Sequence, residues 1–200
     1  MYLKEGKGGQ EFEQAPTGNH VARSIGLIDL GTQAGEWQGK PTSRRQIVVR
    51  WELPTEMMND GRPFIVSKFY TASLGERSTL RHHLTAWRGR EFTAQELMSF
   101  HAKNILGKPC LLNIVHSDTG KARVSGVGAV VKGMEVPPQI NKTVYFSLER
   151  DEFDAAVFEG LPDFYKELIK KSPEYMELEG PSNPIKKASS FEDMEEDIPF

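Results

Sequence analysis

Residues Arg45–Leu53 constrain the fold more than any other stretch. Ile47, Val49 and Trp51 alternate with Val48, Arg50 and Glu52, and the run is rich in β-branched and aromatic side chains. A period of two with that composition predicts a β-strand with two distinct faces, stopped by Pro54. The same period recurs over Phe64–Leu74, where Phe64, Val66 and Lys68 alternate with Ile65, Ser67 and Phe69. A weaker alternation over His20–Leu30 ends at Gly31 and predicts an earlier strand. Residues 31–43, rich in Gly, Gln, Ser and Thr, read as a loop carrying Trp37, and Asn59-Asp60-Gly61 marks a turn.

The period then changes. Leu80, Leu84 and Trp87 fall on one helical face behind a Ser78 cap. Thr93-Ala94-Gln95-Glu96 is a capping box, and a second helix is expected to follow with Leu97, Phe100 and Ile105 inward and Gly107 at its end. Cys110–His116 and Ala122–Val131, joined through Asp118-Thr119-Gly120, read as a hairpin. The order is β-β-β-α-β-β. It predicts an all-β core with helical additions: an OB-fold, a five-stranded antiparallel Greek-key barrel with a helical insertion between strands three and four. Beyond it come a short strand at Thr143–Leu148 and a helix at about Pro162–Lys171, with Ser172-Pro173 as its stop. The domain reading is a flexible arm over 1–18, the OB-fold with its C-terminal helical extension over 19–178, and a disordered linker and acidic tail over 179–200.

No apolar run approaches the roughly 20 residues of a membrane span, and Met1–Thr17 holds no apolar signal region. The single Cys110 sits in an apolar run and reads as a buried thiol in a reducing compartment. A cytoplasmic protein is expected. The net charge of −3 is unevenly spread, since residues 189–200 carry five acids and no base. Taking those five from 28 acids leaves 23 against 25 bases, so the body is about +2.

The chain closes on Glu192-Asp193-Met194-Glu195-Glu196-Asp197-Ile198-Pro199-Phe200. So many adjacent carboxylates are too costly to bury in a core. A terminal Phe with its carboxylate suits capture by a partner with an apolar pocket and a cationic rim, and burying the ring contributes about 1.5–3 kcal/mol. This segment resembles the C-terminus of bacterial-type single-stranded DNA-binding proteins, which end in acids followed by Asp-Ile-Pro-Phe. Asp197, Ile198, Pro199 and Phe200 match that ending, whereas Glu195 and Glu196 replace the usual Asp. The resemblance covers the tail alone. It implies sequence-nonspecific binding and protection of single-stranded DNA in replication, recombination or repair. It also implies docking of replication and repair proteins through those four residues. A homo-oligomer is compatible, because that family often assembles. The body matches no bacterial consensus, which suits a phage-encoded protein working in a bacterial host cell.

Nonspecific single-strand binding needs cations for phosphates and exposed rings for bases. The candidates are Trp37 and Lys40 in the first loop, Arg44, Arg45, Arg50 and Trp51 on the second strand, Lys68 and Tyr70 on the third, Arg88 on the first helix, and Lys121 and Arg123 on the last hairpin. Alternation leaves Trp51 divided between core and groove, and favours Arg50 with Val48 for the groove face. No cofactor, metal or catalytic residue is expected. His82-His83, His101 and His116 lack ligand spacing, and Gly35–Lys40 lacks the Ser/Thr of a phosphate loop. Asp29 and Glu52 are the strand-borne acids expected to be partly buried. The alternative classes are an OB-type protein adaptor that binds no DNA and a DNA-processing nuclease.

Overall fold

The computed structural model describes residues 13–179, without the side chain of Trp37. Its elements are β1 Gly18–Trp37, β2 Lys40–Met57, β3 Pro63–Thr71, α1 Thr79–Arg88, α2 Ala94–Ser99, a 3-10 turn Ala102–Ile105, β4 Pro109–His116, β5 Ala122–Gly128, β6 Val144–Phe146, α3 Ala155–Glu159, α4 Asp163–Lys170 and α5 Pro173–Glu179. The chain is mostly β with a few helices, as expected. The sheet runs β3-β2-β1-β4-β5 with antiparallel neighbours, and β6 adds a parallel contact to β1. The free edge of β1 is shared, with Gly18–Arg23 against β4 and Gly26–Ile28 against β6. Instead of a closed five-stranded barrel, the result is an open six-stranded sheet. No backbone ladder joins β3 to β5 among the described residues. These end strands still approach each other, since Lys68 Nζ donates to the Val124 carbonyl at 2.7 Å.

The loop expected over residues 31–43 is a ribbon instead. β1 and β2 stay paired from Gly31↔Gln46 out to Trp37↔Lys40. Gln38 and Gly39 have φ of 52° and 74°, the left-handed pair of a two-residue type I′ hairpin turn. The polar composition that suggested a loop belongs to a ribbon exposed toward its tip. Pro54 does not end β2 either, because an irregularity between Leu53 and Met57 absorbs it. The predicted second helix breaks at Phe100 and His101, both extended, and restarts as the 3-10 turn with His101 Nδ1 accepting from the Lys103 amide. Ser172-Pro173 follows the end of α4 at Lys170, as expected, and also opens α5. Ser172 Oγ accepts from the Tyr175 amide, and Pro at a first helical position loses no needed donor. β5 ends at Gly128, short of Val131, and α3 had no counterpart in the sequence reading.

Two apolar clusters use opposite faces of the same strands. On the inner face, Leu27, Ile47, Val49, Trp51, Leu53 and Leu112 pack under α1, whose Leu80 and Leu84 are buried. Trp87 lies 6.2 Å from Trp51 and donates its indole N–H to Pro109. On the outer face, Ile28, Leu30 and Val48 lie beneath β6 and α3–α5, against Phe146, Phe158, Tyr165 and Ile169. Glu52 is buried on this side too, where its carboxylate accepts from the Ile140 and Asn141 amides and the Asn141 side chain at 2.7–2.8 Å. Three N–H donors offset the cost of burying that charge. Cys110 is buried as expected, and burial raises its thiol pKa. Within the segment read as a loose arm, residues 13–17 lie on the body. Ala15 is buried, and Glu13 accepts from the Asn59 amide. Among the described residues, no helix is long and apolar enough to cross a membrane.

Gly31 joins the sheet to the C-terminal layer. It sits at a register shift in β1 with φ 69°, and a Cβ there would lie 2.5 Å from Ser172 Oγ and 2.8 Å from Glu174 Oε2. That close approach lets Glu174 accept from both the amide and the hydroxyl of Thr32, at 2.8 and 2.5 Å. Gly31→Ala is expected to lower unfolding stability by at least about 1–3 kcal/mol, the cost of a strained left-handed residue. Gly39→Ala, with nothing within 4 Å of its added methyl, should cost less. Urea unfolding of both variants checks the order, and equal losses would remove the role given to the Ser172–Glu174 approach.

Candidate nucleic-acid interface

The outer face of β2 cannot be the groove. Val48 there has 0 % exposure, covered by the C-terminal layer. Arg50 shares this face and is half-buried. Its aliphatic chain lies over Gly26, where an added Cβ would meet Arg50 Cβ at 3.0 Å. Trp51 is 1 % exposed and belongs to the core beside Trp87, so it is not available to stack on a base. Tyr70 is also buried, and its hydroxyl shares a hydrogen bond of 2.8 Å with His83 Nδ1. Burial raises the Tyr70 pKa and lowers that of His83, so both stay neutral at pH 7.

Two of the chosen cations are committed elsewhere. Arg45 bonds Asp29 at 2.5 Å and Glu149 at 3.0 Å, and the Asp29 hydrogen bond raises the Arg45 pKa. Asp29 also accepts from the Gly31 and Leu148 amides, so this pair holds β1, β2 and the segment after β6 together. Arg88 bonds Glu96 at 2.5 Å and stacks 4.0 Å over Phe92. Glu96 is held down to about 2 by the hydrogen bond from Arg90, then the Thr93 amide, with Arg88 adding to it. The two expected strand-borne acids, Asp29 and Glu52, are buried and occupied by these structural bonds.

The remaining candidates lie on exposed ground. Lys40 is at the ribbon tip, Lys121 ends the turn before β5, and Arg123 is exposed on β5. The Trp37 side chain and residues 197–200 lie outside the described residues.

Arg44 and Lys68 meet in a groove of about 940 Å³ along the edge of β3. One wall is β3, with Lys68, Phe69 and Thr71. The other is the turn that leads into α1, with Arg77, Ser78 and Thr79. The turn is fixed by its own bonds, from Ser78 Oγ to the Ser73 carbonyl at 2.5 Å and from the Ser78 amide to the Gly75 carbonyl at 2.9 Å. It aims the N-terminus of α1 at the groove, and the first turn of α1 holds no acidic residue. Helix N-termini favour anions through free amides and the helix dipole. Glu76 is the one acid in the lining, and among the described residues neither Arg44 nor Arg77 has an acidic partner. Lys68 is tuned as well. Burial, and then Arg123 across the β3–β5 gap, lower its pKa. The sequence reading missed Arg77. Its signal was a base directly before the helix-capping Ser78.

No protein-family model matches this chain, and neither does any curated protein.

The lowered Lys68 pKa gives a signed expectation. An anion in the groove favours the charged ammonium, so binding takes up a proton wherever free Lys68 is partly neutral. Polyanion affinity should therefore fall as alkaline pH rises through the lowered Lys68 pKa. Lys68→Arg, which keeps its charge, should flatten that decline. A pH series of anisotropy titrations measures it, and identical profiles for both proteins would exclude Lys68 from the interface.

Proposed function

We propose that this protein binds single-stranded DNA without sequence preference and without catalysis, as a member of the single-stranded DNA-binding class. The observation that carries the reading is the groove beside β3, where Arg44, Lys68, Arg77 and the N-terminus of α1 face a single acid. Such a collection in one groove suits one sugar–phosphate backbone. The strand order supports an OB-type body. Its end strands β3 and β5 come together, and the side chain of Lys68 bridges them where a closed barrel would have a ladder. In this reading the track runs along the β3 edge, because the C-terminal layer occupies the outer face of β2. The acidic segment Glu192–Phe200 supports the recruitment of replication and repair proteins. Its charge repels DNA and attracts cationic rims on partners.

The test is an anisotropy titration of the full chain with a labelled dT oligomer and a duplex of equal length. The dT oligomer is expected to bind more tightly, with log affinity falling against log salt at about −0.7 per phosphate neutralised. The exposed pair Arg44→Glu and Arg77→Glu should weaken binding at least about tenfold and flatten the salt slope. Deleting Asp197–Phe200 should leave DNA binding equal or tighter while abolishing capture of replication proteins. Equal affinity for duplex, or unchanged binding by the double charge reversal, would sink the proposal.

A further inference from the structure

Among the described side chains, two aromatic rings stand out in solvent. Phe69 on β3 is 43 % exposed and Phe164 on α4 is 59 % exposed. They come from residues 95 positions apart in sequence, yet their centroids lie 6.3 Å apart in an edge-on arrangement. Tyr165 backs both, at 6.3 Å from Phe69 and 5.7 Å from Phe164, and is itself buried. Burial of Tyr165 and Ile169 fixes α4 on the sheet, so Phe164 is held outward by a packed helix and not by a loose loop.

The pair is joined to the cationic groove. Phe69 lines that groove together with Arg44, Lys68 and Arg77, and touches Phe164 on its other side. Cations for phosphates and rings for bases are thus contiguous, which is the combination that nonspecific single-strand binding requires. The charge of the neighbouring acid is answered locally, since Asp163 is bonded to Lys166 at 3.0 Å. Glu167, one turn further along α4, is exposed.

We infer that Phe69 and Phe164 form a stacking platform for unpaired bases, so that the C-terminal helical layer supplies half of the base-binding surface. This rests on the proposed function and adds the site on which the bases sit. The occupant is a nucleobase and not an apolar protein segment, because the platform continues into a groove whose lining is three cations to one acid. Phosphates follow the groove and bases turn onto the two rings. Every base has a stackable face, so the platform carries no sequence preference.

The experiment compares the full chain with Phe164→Ala and with the Arg44→Glu, Arg77→Glu double variant, on dT oligomers and on abasic oligomers of the same length. Phe164 is exposed, so its truncation should leave the thermal midpoint nearly unchanged. Loss of one stacked base is expected to weaken dT binding roughly five- to a hundredfold while leaving the salt slope as it was. On abasic oligomers, Phe164→Ala and the wild type should bind equally. Phe164→Trp should restore dT affinity and add a fluorescence signal that dT quenches. If Phe164→Ala binds dT as the wild type does while the Arg variant fails, the platform is wrong and the groove stands. If the wild type binds no dT, both readings fall. If light scattering shows Phe164→Ala converting a dimer to a monomer, the rings form an interface between copies and the platform is overturned.

Discussion

Strands β1 and β2 bury apolar side chains on both faces, and the layout of the molecule follows from that double burial. Trp51 and its neighbours face the core under α1, while Ile28, Leu30 and Val48 face the C-terminal helices. A two-layer body made this way leaves no broad open face on the central strands. Open ground remains at the β3 edge, at the ribbon tip and along β5. Fully burying a side chain such as Val48 or Ile28 contributes about 1.5–3 kcal/mol each, so lifting the C-terminal layer to expose the β2 face would be costly. The cationic groove and its adjoining rings lie where this burial stops.

Charged groups divide along the same line. Asp29 with Arg45, Glu96 with Arg88 and Arg90, and Glu52 with the Asn141 region are neutralised or satisfied, and they hold elements together. Arg44, Arg77 and Lys68 have no acidic partner among the described residues. Lys68 is the intermediate case, as it bridges β3 to β5 through the Val124 carbonyl while facing the groove. One side chain thereby links the curl of the sheet to the electrostatics of the candidate interface.

Much of the fold was legible locally. Alternation marked β2 and β3, the Thr93–Glu96 capping box formed as read, and the order β-β-β-α-β-β stands. The errors came from distant partners. Nothing near residue 48 in the sequence announces Phe158 or Tyr165, although the unbroken run Ile47-Val48-Val49 was a signal for burial on two sides. Arg45 looked free because Asp29 and Glu149 lie far from it in sequence. Trp51 had an even choice of faces until α1 brought Trp87 beside it. The ribbon over 31–43 was missed because a paired but solvated hairpin has the composition of a loop. Of the candidate site, Arg44 and Lys68 were found from sequence. Arg77 and Phe164 were not, since each matters only through what the fold sets beside it.

The central claim is that ligand binds along the β3 edge while the C-terminal layer stays seated on the sheet. Amide hydrogen exchange on the full chain, with and without a dT oligomer, tests this most directly. The account predicts slowed exchange over residues 63–80 on binding, with residues 144–179 equally or better protected. Faster exchange over 144–179 together with new protection over 46–52 would contradict it, because the bases would then be sitting on a β2 face uncovered by displacement of the helices.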